Sequence, residues 1–189
     1  MSRQTLNIPS RPYPVTQLSP SASLAQALKI HWREYLMEAA ELGVLMFCIC
    51  LFGTLLYSSA SPLEPLRLSR INKAFFMGVA VAITTFLIIR SPFGRRTGAH
   101  FNPAITLTYF YLGRVHRWDT LCYFASQFAG ALVGVFVAHQ ILGQRLASAP
   151  VCYVITIPGE YGSFIAFVAE FALRDCSWQW CSLLLIAGL

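Results

Sequence analysis

The chain has 189 residues, of which 56% are hydrophobic and 12% charged, with a mean hydropathy of +0.57. Soluble domains carry about a quarter charged residues, so the composition excludes an ordinary soluble domain and points to an all-α polytopic membrane protein. The net charge of +6 does not imply a nucleic-acid partner. Basic residues gather at the ends of apolar runs, as Lys73 and Arg90 do, and form no stripe with aromatic platforms.

In chain order, residues 1–34 mix Arg3, Arg11, Lys29 and Arg33 with Pro and Ser, and they lack the apolar core and cleavage site of a signal peptide. They are expected to be a disordered, cytoplasmic polar tail, in which 25–35 is able to form an amphipathic lead-in helix with Trp32 and Tyr35 at headgroup level. No charge occurs between Glu41 and Glu64, which predicts a first span over about 35–57. A second lies between Lys73 and Arg90, around AFFMGVAVAITTFLII. A third is predicted over about 118–142, and a fourth apolar stretch begins near Tyr161 and runs through FIAFVAEFAL. Gly130 and Gly134 on the third span read as close helix packing. Cys48, Cys50 and Cys122 fall inside apolar runs, where cysteine acts as a small hydrophobe, and no metal-binding CxxC occurs. No cofactor or metal is expected.

Lys and Arg near the span ends set the orientation. The tail (Arg3, Arg11, Lys29, Arg33) and the segment joining the second and third spans (Arg90, Arg95, Arg96, Arg114, Arg117) carry nine. The opposite side carries four, Arg67, Arg70, Lys73 and Arg145. The N-terminus is therefore placed in the cytoplasm of a multi-pass protein of the cell membrane.

Between Arg96 and Arg114 lie seventeen uncharged residues interrupted by Asn102–Pro103. A crossing there would invert the charge bias on one side, so the segment is expected to dip into the bilayer and return. Irregular backbone at that depth is tolerated only where it is buried in protein or lines a watery cavity. Asn102 suits an N-cap and Pro103 the first helical position, which predicts a short helix over 103–111. Its N-terminus would carry about half a positive elementary charge near the midplane. Gly98 and Ala99 permit an extended approach with carbonyls facing a pore, and the Asn102 amide can offer donors. Acceptors, a donor and a cation-repelling dipole suit a small neutral polar solute.

TGAHFNPAIT at 97–106 resembles the first NPA box of the aquaporin, or major intrinsic protein, family. Glu38 ahead of the apolar run 43–52 resembles the first-helix glutamate that braces the re-entrant loop. Gln127 and Gly130 in YFASQFAGALVGV fit the third helix, and Glu170 in AFVAEFAL fits the fourth-helix glutamate. The resemblance covers about 35–173. It implies an aquaporin-like half with four transmembrane helices and one re-entrant half-helix, in a homotetramer conducting water or glycerol. Asn102 would be the pore donor, Gly98, Ala99 and His100 the carbonyl acceptors, and Pro103 and Ala104 the remainder of the box. Glu38, Gln127 and Glu170 would brace the loops, and Met77, just before Gly78, would take the second-helix place at the constriction.

After Glu170 the family pattern breaks. Arg174–Asp175 falls where apolar residues are expected, and 174–189 reads as a truncated or frame-disrupted tail without the second repeat. Two classes stay open: a channel for water or a small neutral solute such as glycerol, and a non-conducting membrane protein that only associates with intact homologues or is a degenerate fragment. No nucleophile–base pair appears, so an enzyme is not expected.

Overall fold

A computed structural model of the chain describes residues 18–155 and 162–169. The chain divides into a larger unit, Pro12–Val154, and a smaller one that includes Ile155–Leu189. Among the described residues of the larger unit six α-helices follow one another: α1 Leu24–Tyr57, α2 Arg70–Arg90, α3 Pro92–Thr97, α4 Pro103–Tyr111, α5 Arg117–Leu142 and α6 Gln144–Ala147. Among the described residues, α1, α2 and α5 are long and apolar enough to cross a membrane. In the smaller unit residues 162–169 are helical, within the expected fourth stretch. Glu170, the tail 174–189 and residues 1–17 lie outside the described residues.

The first helix starts at Leu24, so the lead-in helix over 25–35 and the first span over 35–57 are one continuous helix. Ser23 supplies the reason. Its hydroxyl accepts from the Gln26 N–H while the Gln26 side chain accepts from the Ser23 N–H, a reciprocal cap that fixes the first turn. Residues 24–34 are therefore helical, with His31 and Glu34 buried. Thirty-four residues make α1 about 51 Å long. Trp32 is exposed, but Tyr35 is buried and donates its hydroxyl to Asp119 of α5.

α1 is turned inside out relative to a soluble helix. Its buried face carries His31, Glu34, Tyr35, Glu38 and Glu41, while Leu28, Ile30, Trp32, Leu36 and Val44 are exposed. The polar positions recur at helical spacing, so they form one stripe, and that stripe faces α5 and α3. Against it α5 lays Asp119, Thr120, Tyr123, Gln127, Gly130, Gly134 and Ala138, again one stripe of buried positions. Small residues let the two backbones touch. A Cβ on Gly130 would collide with the Ala39 carbonyl, and one on Gly134 with the Gly43 carbonyl. The apolar side chains of α5, such as Phe128, Leu132 and Phe136, point outward, as suits a helix surrounded by lipid.

α2 to α4 form the return path. Ser91 ends α2 and caps α3 by accepting from the Gly94 N–H, with Pro92 at the first helical position. The reversal is tight enough that a Cβ on Gly94 would strike the Ile88 carbonyl. α3 was not expected as an element. Gly98 closes it at φ +91, in the left-handed region that favours glycine. After four non-helical residues, 99–102, α4 begins at Pro103 and ends at Tyr111, the predicted bounds.

Candidate functional site

The segment from Thr97 to Thr106 is held by side chains of α1 and α5. Glu38 of α1 is fully buried. Its Oε1 accepts from the Phe101 N–H at 2.7 Å and from Gln127 Nε2 at 2.9 Å, and its Oε2 accepts from the His100 N–H at 3.4 Å. Gln127 Nε2 also donates to Thr106 Oγ1 at 3.0 Å. One carboxylate and one amide thus tie α1, α5, the loop and α4 together. Gln127 lies about 15 Å along α5, a helix about 39 Å long, so the knot sits near the middle of that span.

These hydrogen bonds decide where the carbonyls point. A trans peptide holds its C=O opposite its N–H. With the His100 and Phe101 N–H groups on Glu38, the Ala99 and His100 carbonyls must face away from α1. The Ala99 N–H goes to Thr97 Oγ1 at 3.0 Å, which turns the Gly98 carbonyl away from the Thr97 side chain. The arrangement needs unusual backbone, with φ +48 at Ala99 and +54 at Phe101. Each left-handed non-glycine residue costs about 1–2 kcal/mol. Each hydrogen bond contributes about 0.5–1.5 kcal/mol net, so the three on Glu38 are of a size to offset the strain.

Asn102 sets the donor end. Its Oδ1 accepts from the Ala104 N–H at 2.9 Å, and its backbone carbonyl accepts from Ile105 and Thr106. Pro103 has no N–H. The first-turn donors of α4 are therefore satisfied locally, and among the described residues no partner takes the Asn102 Nδ2 hydrogens. Asn102, Pro103, Gly98 and Ala99 are half-buried and Ala104 is exposed. α4, at nine residues, is about 14 Å long, half a hydrocarbon thickness.

The His100 side chain serves the scaffold. It is fully buried, stacked between Tyr109 and Tyr123 at centroid distances of 4.9 and 4.8 Å, and its Nδ1 shares a hydrogen bond of 2.9 Å with Thr106 Oγ1. Only its carbonyl belongs to the outward row. Met77 is half-buried on α2, a helix that packs against α1 and α3 and shares no hydrogen bond with the loop among the described residues. Glu170 is outside the described residues.

Several members of the site were missed from the sequence. Glu41 is 2% exposed and accepts the Thr97 hydroxyl at 3.0 and 3.1 Å. Glu34 Oε1 accepts from Arg96 Nε and Nη2, each at 2.8 Å, pinning α3 to α1. His31 Nδ1 meets Asp119 Oδ1 at 2.9 Å, and the Tyr123 hydroxyl donates to the Thr97 carbonyl at 3.2 Å. Glu34, Glu38 and Glu41 repeat at a spacing of four and three, which places them on one helix face. That signal was available.

Comparison with known proteins agrees with this architecture. The chain is 37% identical over 73 residues to an aquaglyceroporin of Toxoplasma gondii, covering 38% of this chain and 27% of the relative. It is 46% identical over 46 residues to the aquaglyceroporin AqpS of Rhizobium meliloti, covering 24% of this chain and 20% of the relative. The matches thus span about a quarter of the length of these curated relatives. No solved structure matches the chain significantly. Residues 25–175 match the family described as Major intrinsic protein, and with its apolar helices, its capped half-helix and the carboxylate-held loop before it, the chain belongs to that family.

Proposed function

We propose that this chain lines a transmembrane path for water or a small neutral polar solute such as glycerol. The observation that carries the reading is that the Ala99, His100 and Phe101 N–H groups are all held by Thr97 and Glu38, just ahead of the Asn102 cap of α4, which leaves the Gly98, Ala99 and His100 carbonyls to line a path toward the Asn102 amide. A neutral hydroxyl or water can donate to such carbonyls and accept from Asn102 Nδ2 in turn. A cation meets the positive end of a helix dipole at the same point. Pro103 and Ala104 shape the end of α4, Met77 narrows the path from α2, and Glu38, Gln127 and Glu170 are bracing residues. The names of the two relatives, both aquaglyceroporins, support a solute of the water and glycerol class.

In this reading the protein is a channel of the cell membrane and not an enzyme, with its N-terminus in the cytoplasm and homotetramers in the bilayer. The test is stopped-flow light scattering of vesicles holding the purified chain, under an osmotic step and a glycerol gradient. Swelling or shrinking faster than in empty vesicles is expected. Rates equal to those of empty vesicles would reject conduction by this chain and favour a non-conducting membrane protein.

A further inference from the structure

Three consecutive peptide groups form the carbonyl row, and Glu38 holds only two of them. The third, between Gly98 and Ala99, is held by Thr97 Oγ1, which accepts the Ala99 N–H at 3.0 Å. Thr97 is fully buried, and it gives its single hydroxyl proton to Glu41, 3.0 and 3.1 Å from the two carboxylate oxygens. We propose that Glu41 is a second positioning residue of the loop, acting through Thr97 to turn the Gly98 carbonyl toward the permeation path. The proposal rests on the channel reading above.

The chemistry of a hydroxyl gives the link its direction. One proton and two lone pairs mean that wherever the proton points, the lone pairs point elsewhere. With the proton on Glu41, a lone pair faces the Ala99 N–H. In a helix a threonine hydroxyl otherwise tends to donate to the carbonyl four residues earlier, which would swing the lone pairs away from Ala99. Glu41 prevents that rotation. Its burial has no other evident return: among the described residues the Thr97 hydroxyl is the one donor it meets, and a carboxylate taken out of water is costly unless it is used. Glu38 and Glu41, one turn apart on α1, therefore grip the two ends of the same row. The groups that act on Glu41 are the Thr97 hydroxyl from α3 and the Glu38 carboxyl, one turn away on α1.

Amide hydrogen exchange in nanodiscs, read residue by residue, separates this role from simple support. Glu41→Ala should raise exchange at Ala99 about tenfold, the effect of one lost hydrogen bond, with His100 and Phe101 within about twofold of wild type. Thr97→Val should do the same, and the double variant should be no worse than either single one. Glu41→Gln, whose amide oxygen still accepts the hydroxyl proton, and Thr97→Ser should stay near wild type. In vesicles Glu41→Ala should lower osmotic permeability about fivefold per folded protein, and Glu41→Gln should restore it. Unchanged exchange at Ala99, a rise shared equally by all three amides, or additive single effects would each overturn the proposal. If wild-type vesicles swell no faster than empty ones, the channel reading fails while the exchange pattern still decides whether Glu41 sets the Gly98–Ala99 peptide.

Discussion

Glu38→Ala removes the acceptor of three buried donors at once: the His100 N–H, the Phe101 N–H and Gln127 Nε2. A buried donor left unpaired costs about 1–3 kcal/mol. The bond from His100, at 3.4 Å, contributes least, so the loss should come to about 3–6 kcal/mol. Glu38→Gln is the informative companion. Its oxygen can take the place of Oε1 and keep Phe101 and Gln127, but its amide hydrogens then face the His100 N–H. Two donors opposed, together with the lost charge assistance, should cost about 1–3 kcal/mol. Unfolding in mixed micelles by SDS titration, followed by far-ultraviolet circular dichroism, ranks the three proteins. Wild type should be most stable, Gln intermediate and Ala least. Permeability should follow the same order, because the Ala99 and His100 carbonyls lose their fixed direction. An alanine variant no less stable than the glutamine variant, or one conducting at the wild-type rate per folded protein, would refute the bracing argument.

Asn102→Asp keeps the oxygen that caps α4 and removes the free amide donors. Helix content should stay at the wild-type level while vesicle swelling falls to background, and wild-type swelling would remove Asn102 from its donor role. Gly134→Ala places a Cβ against the Gly43 carbonyl, so SDS titration should show a loss of about 1–3 kcal/mol. Gly78→Ala meets open space on α2 and should be neutral or gain up to about 1 kcal/mol of helix propensity. Equal responses at the two glycines would contradict the α1–α5 contact. Arg96→Gln breaks the pair with Glu34, but the Arg96 side chain is 49% exposed. Its cost should be about 1 kcal/mol or less and should shrink further in high salt, as unfolding at two ionic strengths would show.

Much of the site was legible because its signals are local. Asn-Pro at a cap and first turn fixes α4 to the residue, and uncharged runs mark α2 and α5 within a few positions. Two local signals went unread. Ser23 and Gln26 announce the cap at the head of the lead-in helix, and Ser91–Pro92 announces α3. What could not be read is long-range pairing. His31 and Asp119 stand 88 positions apart, and Glu38 and Gln127 stand 89 apart, so no spacing rule joins them. The role of the His100 side chain was hidden for the same reason. It depends on tyrosines of α4 and α5 closing on both faces of the ring, which periodicity within one helix does not reveal.

The polar stripe of α1 bears on how the protein is made. Its partners leave the ribosome later: Arg96 and Thr97 follow Glu34 and Glu41 by 62 and 56 positions, and Gln127 follows Glu38 by 89. Until they arrive, a newly synthesised α1 presents carboxylates to lipid, each costing about 2.5–3.5 kcal/mol at a helix centre on an insertion scale. The small-residue contact that lets α5 lie against that face also completes its neutralisation. Membrane insertion and tertiary folding are then one event for this helix, and α1 gains a stable place in the bilayer only as α5 docks beside it.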